Sequence, residues 1–285
     1  MLQVLNDPGF AAPSREDRDI KLNELFEYPD LTLRKDLTSR NAQLKRGTHV
    51  FSFLTEGGVK EIHGKPFCGK TTLAKALVLD LQLQGNTPLL IDGKSFSCTT
   101  VEDFEKVVRS CFKNQYSLDL VDEYYQLKPE QRCIVIDDWH LILMSTRVRK
   151  EVYDWLGHFT KASVLIVDQL YQIRELIDSG HSAMELAEQI SHGTAHIEIG
   201  SLSHVSRAGL IHRYLKVRRR NVLEYPEESK EAFRLEKVVS QLLGEETRLR
   251  YFTRCATLTI HWYSVERLPK SVERLLISSK SIKVA

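Results

Sequence analysis

Two hydrophobic patterns alternate along the chain. Strand-length runs lie at residues 59–63, 88–93, 132–138, 163–168 and 195–200, of which VKEIH (59–63) is the most polar. Between these runs, apolar residues recur every three or four positions, as in amphipathic helices, at residues 71–84, 99–113, 145–160, 182–191 and 203–216. Short, fully apolar strands that alternate with such helices are typical of a parallel sheet covered by helices on both faces. The pattern therefore predicts an α/β fold.

The residues outside this alternation have weaker patterns. Residues 1–20 mix proline, glycine and charged side chains, which predicts a loose arm. Residues 21–46 are helix-like, and THVFSFL (48–54) alternates enough to predict a short strand. Residues 227–285 are predicted to be mostly helical. We predict three parts: an N-terminal arm at 1–27, an α/β core at 28–220, and a helical extension at 221–285 that begins a regulatory domain.

The stretch GKPFCGKTT (64–72) matches the pattern G-x-x-x-x-G-K-[S/T] of a phosphate-binding loop. A predicted strand precedes it and a predicted helix follows it, which is the context that the motif requires, although VKEIH is more polar than the strand that usually precedes such a loop. Its glycines allow backbone N–H groups to surround phosphate oxygens, Lys70 can reach the β- and γ-phosphates, and Thr71 can bind magnesium. We predict that a nucleoside triphosphate contacts the whole loop: Gly64, Lys65, Pro66, Phe67, Cys68, Gly69, Lys70, Thr71 and Thr72.

Two aspartates follow the apolar run CIVI. A phosphate-binding loop needs a second group of residues to hold magnesium and orient water, and these aspartates come at the expected place, after the loop and at the end of a strand. Ligands of open α/β sheets bind at the carboxyl ends of the strands, where this run ends and where the loop leaves its own strand. We predict that Asp137 binds magnesium together with Thr71, and that Asp138 orients or deprotonates the attacking water. The predicted catalytic residues are Lys70, Asp137 and Asp138. Asp168 ends the next run and is either a polar sensor or a plain strand terminus.

Composition adds few constraints. The 285 residues are 42% hydrophobic and 27% charged, with a formal net charge of +2. The five cysteines are scattered without a C-x-x-C pair, so neither a disulfide framework nor a zinc site is predicted. No apolar signal core or membrane-length run occurs, which predicts a cytoplasmic protein without a membrane partner. KVRRRN (216–221) fits a helix end better than a nucleic-acid patch, so nucleic acid is not an expected partner.

The order of these motifs resembles the STAND class of P-loop ATPases, the NACHT-like and AP-ATPase-like relatives of AAA+ proteins. The segments that carry the resemblance are YPDLTLR, the phosphate loop, PLLIDGKSF, IVIDD and HIEIGSLSHVSRAGLIHRYL. The resemblance implies a parallel-sheet P-loop NTPase core with a C-terminal helical extension, and a magnesium- and ATP-dependent switch with slow hydrolysis. It also implies a protein partner or self-association. Arg207 and Arg213 lie on the last core helix, but their spacing does not identify an arginine finger.

Two other functions remain open at this stage. A small-molecule or nucleotide kinase would use the same loop to donate the γ-phosphate. An interaction module would bind nucleotide without turnover, although such sites commonly lack one of Lys70, Asp137 and Asp138, all of which are present. The sequence has no N-K-x-D motif for guanine. Only the absence of this motif and the family resemblance favour ATP over GTP.

Overall fold

The computed structural model describes residues 22–34, 42–168, 196–200, 203–218, 232–237 and 240. The strands are β1 Leu31–Arg34, β2 Ala42–Lys45, β3 Gly58–Gly64, β4 Thr87–Asp92, β5 Arg132–Asp137, β6 Ala162–Asp168 and β7 His196–Ile199. The helices are α1 Leu22–Leu25, α2 Gly47–Thr55, α3 Lys70–Leu83, α4 Val101–Gln115, α5 Val121–Gln126, α6 Thr146–Phe159, α7 His204–Arg218 and α8 232–237.

The seven described strands form one sheet in the order β2-β1-β7-β3-β6-β5-β4. β7, β3, β6, β5 and β4 run parallel, whereas β1 pairs antiparallel with both β7 and β2. The α/β prediction with a parallel P-loop-type core is confirmed. The two antiparallel strands at the edge were not predicted.

The alternation of side chains along the central strands builds a core on each face of the sheet. Cys133 and Val135 of β5 pack with α2 and α3, whereas Ile134 and Ile136 pack with α4 and α6. Every residue of β5 is buried, as expected for a strand covered on both faces. This arrangement explains why the central strands have continuous apolar runs.

The helix starts that the sequence indicates are confirmed at two places. Thr100 caps α4 by accepting a hydrogen bond from the backbone N–H of Asp103 at 3.3 Å. Ser145 caps α6 in the same way through the N–H of Val148 at 3.3 Å. The short helix α5 was missed, and the predicted helix at 182–191 lies outside the described residues.

Two predictions for the N-terminal third were wrong. Residues 48–54 are not a strand but part of α2, in which Val50 and Leu54 are fully buried one turn apart. Burial therefore follows the helical period, which short apolar runs leave ambiguous. Within 21–46, the described residues are a four-residue helix followed by β1 and β2 rather than one interrupted helix.

Residues 26–30, which we call the strap, join α1 to β1 and contact three parts of the core. The Tyr28 hydroxyl donates to Asp80 Oδ2 on α3 at 2.7 Å. The Asp30 carboxylate accepts from the N–H of Gly47 at 2.9 Å, and the Asp30 carbonyl accepts from the N–H of Gly200 at 3.0 Å. The strap therefore connects the start of α2, the helix that follows the phosphate loop and the end of β7.

The close approach of the strap to α2 predicts the effect of a methyl group at Gly47. A Cβ there would lie 2.4 Å from the Tyr28 carbonyl oxygen. We expect Gly47→Ala to lower the free energy of unfolding by about 1–3 kcal/mol, because backbone must move to accommodate it. Urea denaturation measures the change.

Gly157→Ala is the matched control for this substitution. Gly157 lies within α6, and a Cβ there would make only an ordinary contact with the Val59 side chain, at 3.8 Å. We expect it to stabilise the chain by about 0.5–1 kcal/mol, because alanine is the better helix former. Equal effects of the two substitutions would contradict the close packing of the strap.

Candidate functional site

The carboxyl ends of three adjacent strands bring the predicted site residues to one edge of the sheet. β6 lies between β3 and β5, and Gly64 at the end of β3 is in register with Asp168 at the end of β6. Asp137 ends β5 in register with Asp92 of β4. The phosphate loop and the aspartate pair are therefore separated by one strand, and Asp168 ends that strand.

The phosphate loop turns tightly from β3 into α3. Gly69 is the N-cap of α3 with a left-handed φ of 97°, and Phe67 has a φ of 64°. Within the loop, the N–H of Cys68 donates to the Lys65 carbonyl at 3.3 Å. The helix begins at Lys70, so its unpaired N–H groups and the positive end of its dipole lie at the loop. Thr72 is the third residue of this helix.

The Lys70 ammonium group is held against the loop. Its Nζ donates to the carbonyls of Gly64 and Lys65 at 2.7 and 2.9 Å. It also lies 3.4 Å from Asp168 Oδ2, and the lysine side chain is only 11% exposed. Lys70 therefore lies between the loop backbone and the end of β6, where it compensates the charge of Asp168.

Thr71 and Asp137, the predicted magnesium ligands, are in contact. The Thr71 hydroxyl donates a hydrogen bond to the Asp137 carboxylate, which is largely buried with 8% of the residue exposed. Burial raises the pKa of Asp137, and the hydrogen bond from Thr71 opposes that shift. In the described part of the chain, no group of three histidine, cysteine, aspartate or glutamate side chains could hold a metal.

Asp138 is held by a lysine that the sequence analysis did not consider. Lys94 Nζ lies 2.7 Å from Asp138 Oδ2, and this hydrogen bond raises the pKa of Lys94. Asp138 has a left-handed backbone with φ 54°, and a Cβ at Gly93 would lie 2.4 Å from its carbonyl oxygen. The tight turn after β4 thus places Lys94 beside the carboxylate. The only sequence indication is its position, two residues after the end of a neighbouring strand.

His140 connects the turn after β5 to the end of β6. Its Nδ1 accepts from the N–H of Asp168 at 3.4 Å, so the ring proton is on Nε2 in this arrangement. Burial lowers the pKa of His140, and Asp138 and Asp168 oppose that shift. Trp139 is buried in the core against Phe104 with ring centroids 6.3 Å apart, in line with a packing role.

Four other residues singled out in the sequence are Phe67 and Cys68 of the loop and Arg207 and Arg213 of α7. Phe67 lies at the loop surface with 51% exposure, and burial raises the pKa of the Cys68 thiol. Arg207 forms an ion pair with Glu236, and Arg213 forms one with Glu27. Both arginines are therefore engaged within the chain.

A cavity of about 390 Å³ lies beside α3, one to three turns beyond the phosphate loop. The strap, α2, α3 and α7 form its walls. Its lining combines apolar and polar side chains: Asn23, Phe26, Glu27, Tyr28, Gly47, Thr48, Phe51, Ala76, Leu79, Asp80 and Arg213. Burial and the hydrogen bond to Asp80 raise the pKa of Tyr28, so its hydroxyl stays protonated at neutral pH. The cavity has the size and the mixed lining of a small-ligand site.

The left-handed backbone at Phe67 predicts that glycine is better tolerated there. A side chain at this φ costs about 1–2 kcal/mol, which glycine avoids. We expect Phe67→Gly to raise the free energy of unfolding by up to about 1 kcal/mol, since glycine also adds freedom to the unfolded chain. Phe67→Val should lower it. Equal losses in urea denaturation would instead assign the effect to the ring of Phe67.

Comparisons with known proteins agree with a nucleotide-binding core. Residues 62–167 match the model of the family described as ATPase family associated with various cellular activities (AAA). No curated protein matches the chain. None of the helices in the described residues is long and apolar enough to cross a membrane.

Matches among solved structures include DnaA and RuvB. AMPPCP-bound DnaA from Aquifex aeolicus is 16% identical with a TM-score of 0.42, and the match covers 82% of this chain and 63% of that chain. The RuvB Holliday junction branch migration motor of Thermotoga maritima is 16% identical with a TM-score of 0.33, and the match covers 74% of this chain and 67% of that chain. The chain thus spans less than two thirds of the DnaA structure. The AAA match runs from β3 into β6, less than half of the chain, and the STAND assignment stays a prediction.

Proposed function

We propose that this chain binds a magnesium–ATP complex at the phosphate loop and hydrolyses it slowly as a conformational switch. The observation that carries the proposal is the meeting of Lys70, the Thr71–Asp137 pair and Asp138 at one edge of the sheet. Phosphate oxygens would replace the two loop carbonyls as acceptors for Lys70. Charge-assisted contacts to phosphate are stronger than those to neutral carbonyls, so this exchange favours binding.

The Thr71 hydroxyl and the Asp137 carboxylate fit magnesium by their chemistry. Both are oxygen donors, and Mg²⁺ is commonly bound by one or two protein ligands, substrate phosphates and waters. The buried Asp137 carboxylate is held by Thr71, so the two oxygens are already positioned together. The bound ion would neutralise charge on the β- and γ-phosphate oxygens.

Asp138 is proposed to orient the attacking water and to accept its proton. It is one residue beyond Asp137 and its side chain is 16% exposed, so it lies beside the proposed magnesium site. The ion pair with Lys94 occupies one carboxylate oxygen at 2.7 Å.

The cavity beside α3 is proposed to receive the base of the nucleotide. Ala76 lies six residues beyond Lys70, or about 9 Å along the helix at 1.5 Å per residue. That distance matches the span between the phosphates and the base of a nucleotide. Phe26, Tyr28 and Phe51 offer apolar ring contacts, and the carboxylates of Glu27 and Asp80 can accept from an exocyclic amine.

The switch role, the STAND subclass and a protein partner or self-association are proposed together. Their support is the helix α7, which follows β7 as the resemblance implies and contacts the strap through Arg213. A cytoplasmic location and the absence of a nucleic-acid partner remain predictions from the sequence. No described contact favours a kinase over a hydrolase.

Replacing Asp138 by asparagine separates binding from hydrolysis. We expect Asp138→Asn to slow phosphate release from ATP by about 10²-fold or more, as loss of a general base does, while ATP affinity changes by less than about threefold. Phosphate release and titration calorimetry measure the two quantities. Asp122→Asn, which alters a carboxylate on α5 that is 90% exposed, is the control and should change neither. Equal losses of affinity and rate would assign Asp138 to metal binding or structure.

Replacing Phe51 by alanine tests the base pocket separately from the phosphate site. We expect Phe51→Ala to weaken ATP binding about three- to tenfold, in line with the loss of a ring contact, and to leave inorganic tripolyphosphate binding unchanged. Phe53→Ala is the control, since Phe53 is on the same helix, partly buried and not part of the cavity lining. If both ligands weaken together, the base does not lie in this cavity.

A further inference from the structure

Residues 138–142, which we call the aspartate turn, follow β5 and are held on three sides. Toward β4, the turn packs against Gly93, where a Cβ would clash with the Asp138 carbonyl oxygen. Toward α6, Arg149 donates to two backbone carbonyls of the turn at 3.3 and 3.4 Å. Toward β6, the contact is made by a side chain of the turn itself, the imidazole ring of His140.

The His140 ring accepts a hydrogen bond at the place where the pairing of β5 with β6 ends. β5 and β6 pair as far as Ile136 and Leu165, whereas β6 continues beside β3 to Asp168. The N–H of Asp168 lies beyond the β5 ladder, and His140 Nδ1 accepts it at 3.4 Å. Buried backbone N–H groups need an acceptor, and here the ring takes the place of a strand carbonyl.

A neutral imidazole is required for this contact, because only an unprotonated Nδ1 can accept a hydrogen bond. Burial lowers the pKa of His140, and the charges of Lys70 and Arg149 act in the same direction. Asp138 and Asp168 oppose this shift without reversing it. The pKa therefore lies below the ordinary value for histidine, and the neutral ring predominates at pH 7.

The strand end that His140 contacts also faces the lysine of the phosphate loop. Asp168 Oδ2 lies 3.4 Å from Lys70 Nζ, and Asp168 is the register partner of Gly64, where the loop begins. His140 is two residues beyond Asp138 on the aspartate turn. One imidazole therefore joins the turn that carries the proposed base to the strand end beside the phosphate-binding lysine.

We propose that His140 is a positioning residue for ATP hydrolysis, which holds the Asp138 carboxylate in place relative to the phosphate loop. This inference rests on the proposed function. Attack requires the base, the water and the γ-phosphate to be aligned, and a displacement of about 1 Å can lower the rate about 10²-fold. ATP affinity depends less on His140, because the carbonyls of Gly64 and Lys65 hold Lys70 independently of the ring.

Two substitutions separate the hydrogen-bond acceptor of His140 from the volume of its ring. His140→Phe keeps a ring without the acceptor, whereas His140→Asn keeps an acceptor oxygen at the branch position of Nδ1 without the ring. We expect His140→Phe to lower kcat for phosphate release by about tenfold or more, with ATP affinity within about threefold of the wild type. His140→Asn should retain at least about a third of the wild-type kcat. If His140→Phe is as active as His140→Asn or more active, packing of the ring explains the effect and the proposal is overturned.

A control variant and a second background test whether His140 acts through Asp138. His158→Phe is the matched control, since His158 is exposed in the last turn of α6, and it should change neither kcat nor affinity. In the Asp138→Asn background, His140→Phe should lower the remaining rate by less than about twofold, because the group that it positions is already lost. A full tenfold loss in that background would contradict action through Asp138.

Exchange of the Asp168 amide proton, followed by NMR of the whole chain without nucleotide, tests the hydrogen bond itself. We expect this proton to exchange about three- to tenfold faster in His140→Phe than in the wild type, as for loss of one ordinary hydrogen bond. In His140→Asn it should exchange at nearly the wild-type rate. A wild-type chain that neither binds nor hydrolyses ATP would refute the proposed function, whereas equal exchange in the wild type and His140→Phe would overturn the role of His140.

Discussion

The parallel pairing of β3 with β6 is the constraint on which the candidate site depends. Because Gly64 and Asp168 are register partners, the loop that leaves β3 begins beside a carboxylate. β5 then pairs with the other edge of β6 and ends at Asp137. A shift of one residue in either register would turn the strand side chains to the opposite faces and bury the wrong groups. The packed cores on both faces exclude that shift.

Charge compensation is the second principle of the site. Lys70 lies against Asp168 at the end of β6, and Lys94 lies against Asp138, one residue beyond the end of β5, so each lysine neutralises one carboxylate. Asp137 instead receives a hydroxyl from Thr71, and its buried carboxylate has a raised pKa. A magnesium nucleotide would bring both anionic oxygens for the lysines and a cation for the carboxylates. Binding would therefore exchange existing partners rather than create uncompensated charge.

The sequence predicted those parts of the molecule that depend on local pattern. Strands β4, β5 and β6 contain continuous apolar runs, and Asp137 follows one of them directly, while the loop is identified by its own motif, so their placement could be inferred without a structure. The left-handed backbone at Phe67 could not be anticipated, because it depends on the backbone angles of the loop. The ion pair between Lys94 and Asp138 could not be anticipated either, because it depends on which strands are neighbours.

The N-terminal third was the least predictable part for a related reason. Residues 48–54 fit both a strand and a helix, and only packing of Val50 and Leu54 on the sheet decides between them. β1 and β2 are each four residues long and form an antiparallel edge through contacts distant in sequence. The polar contacts of the strap are likewise tertiary, so no local pattern of Tyr28 or Asp30 indicates them.

Titration calorimetry of magnesium–ATP against the wild-type chain and Lys70→Ala tests the central claim most directly. The Lys70 ammonium group is held by the loop backbone itself, through Gly64 and Lys65. The account predicts saturable binding to the wild type and a loss of at least about tenfold in the variant, as expected for removal of a charge-assisted contact to phosphate. Lys75→Ala on the same helix should bind normally. Equal affinity of Lys70→Ala and the wild type would contradict the assignment of residues 64–72 as a phosphate site.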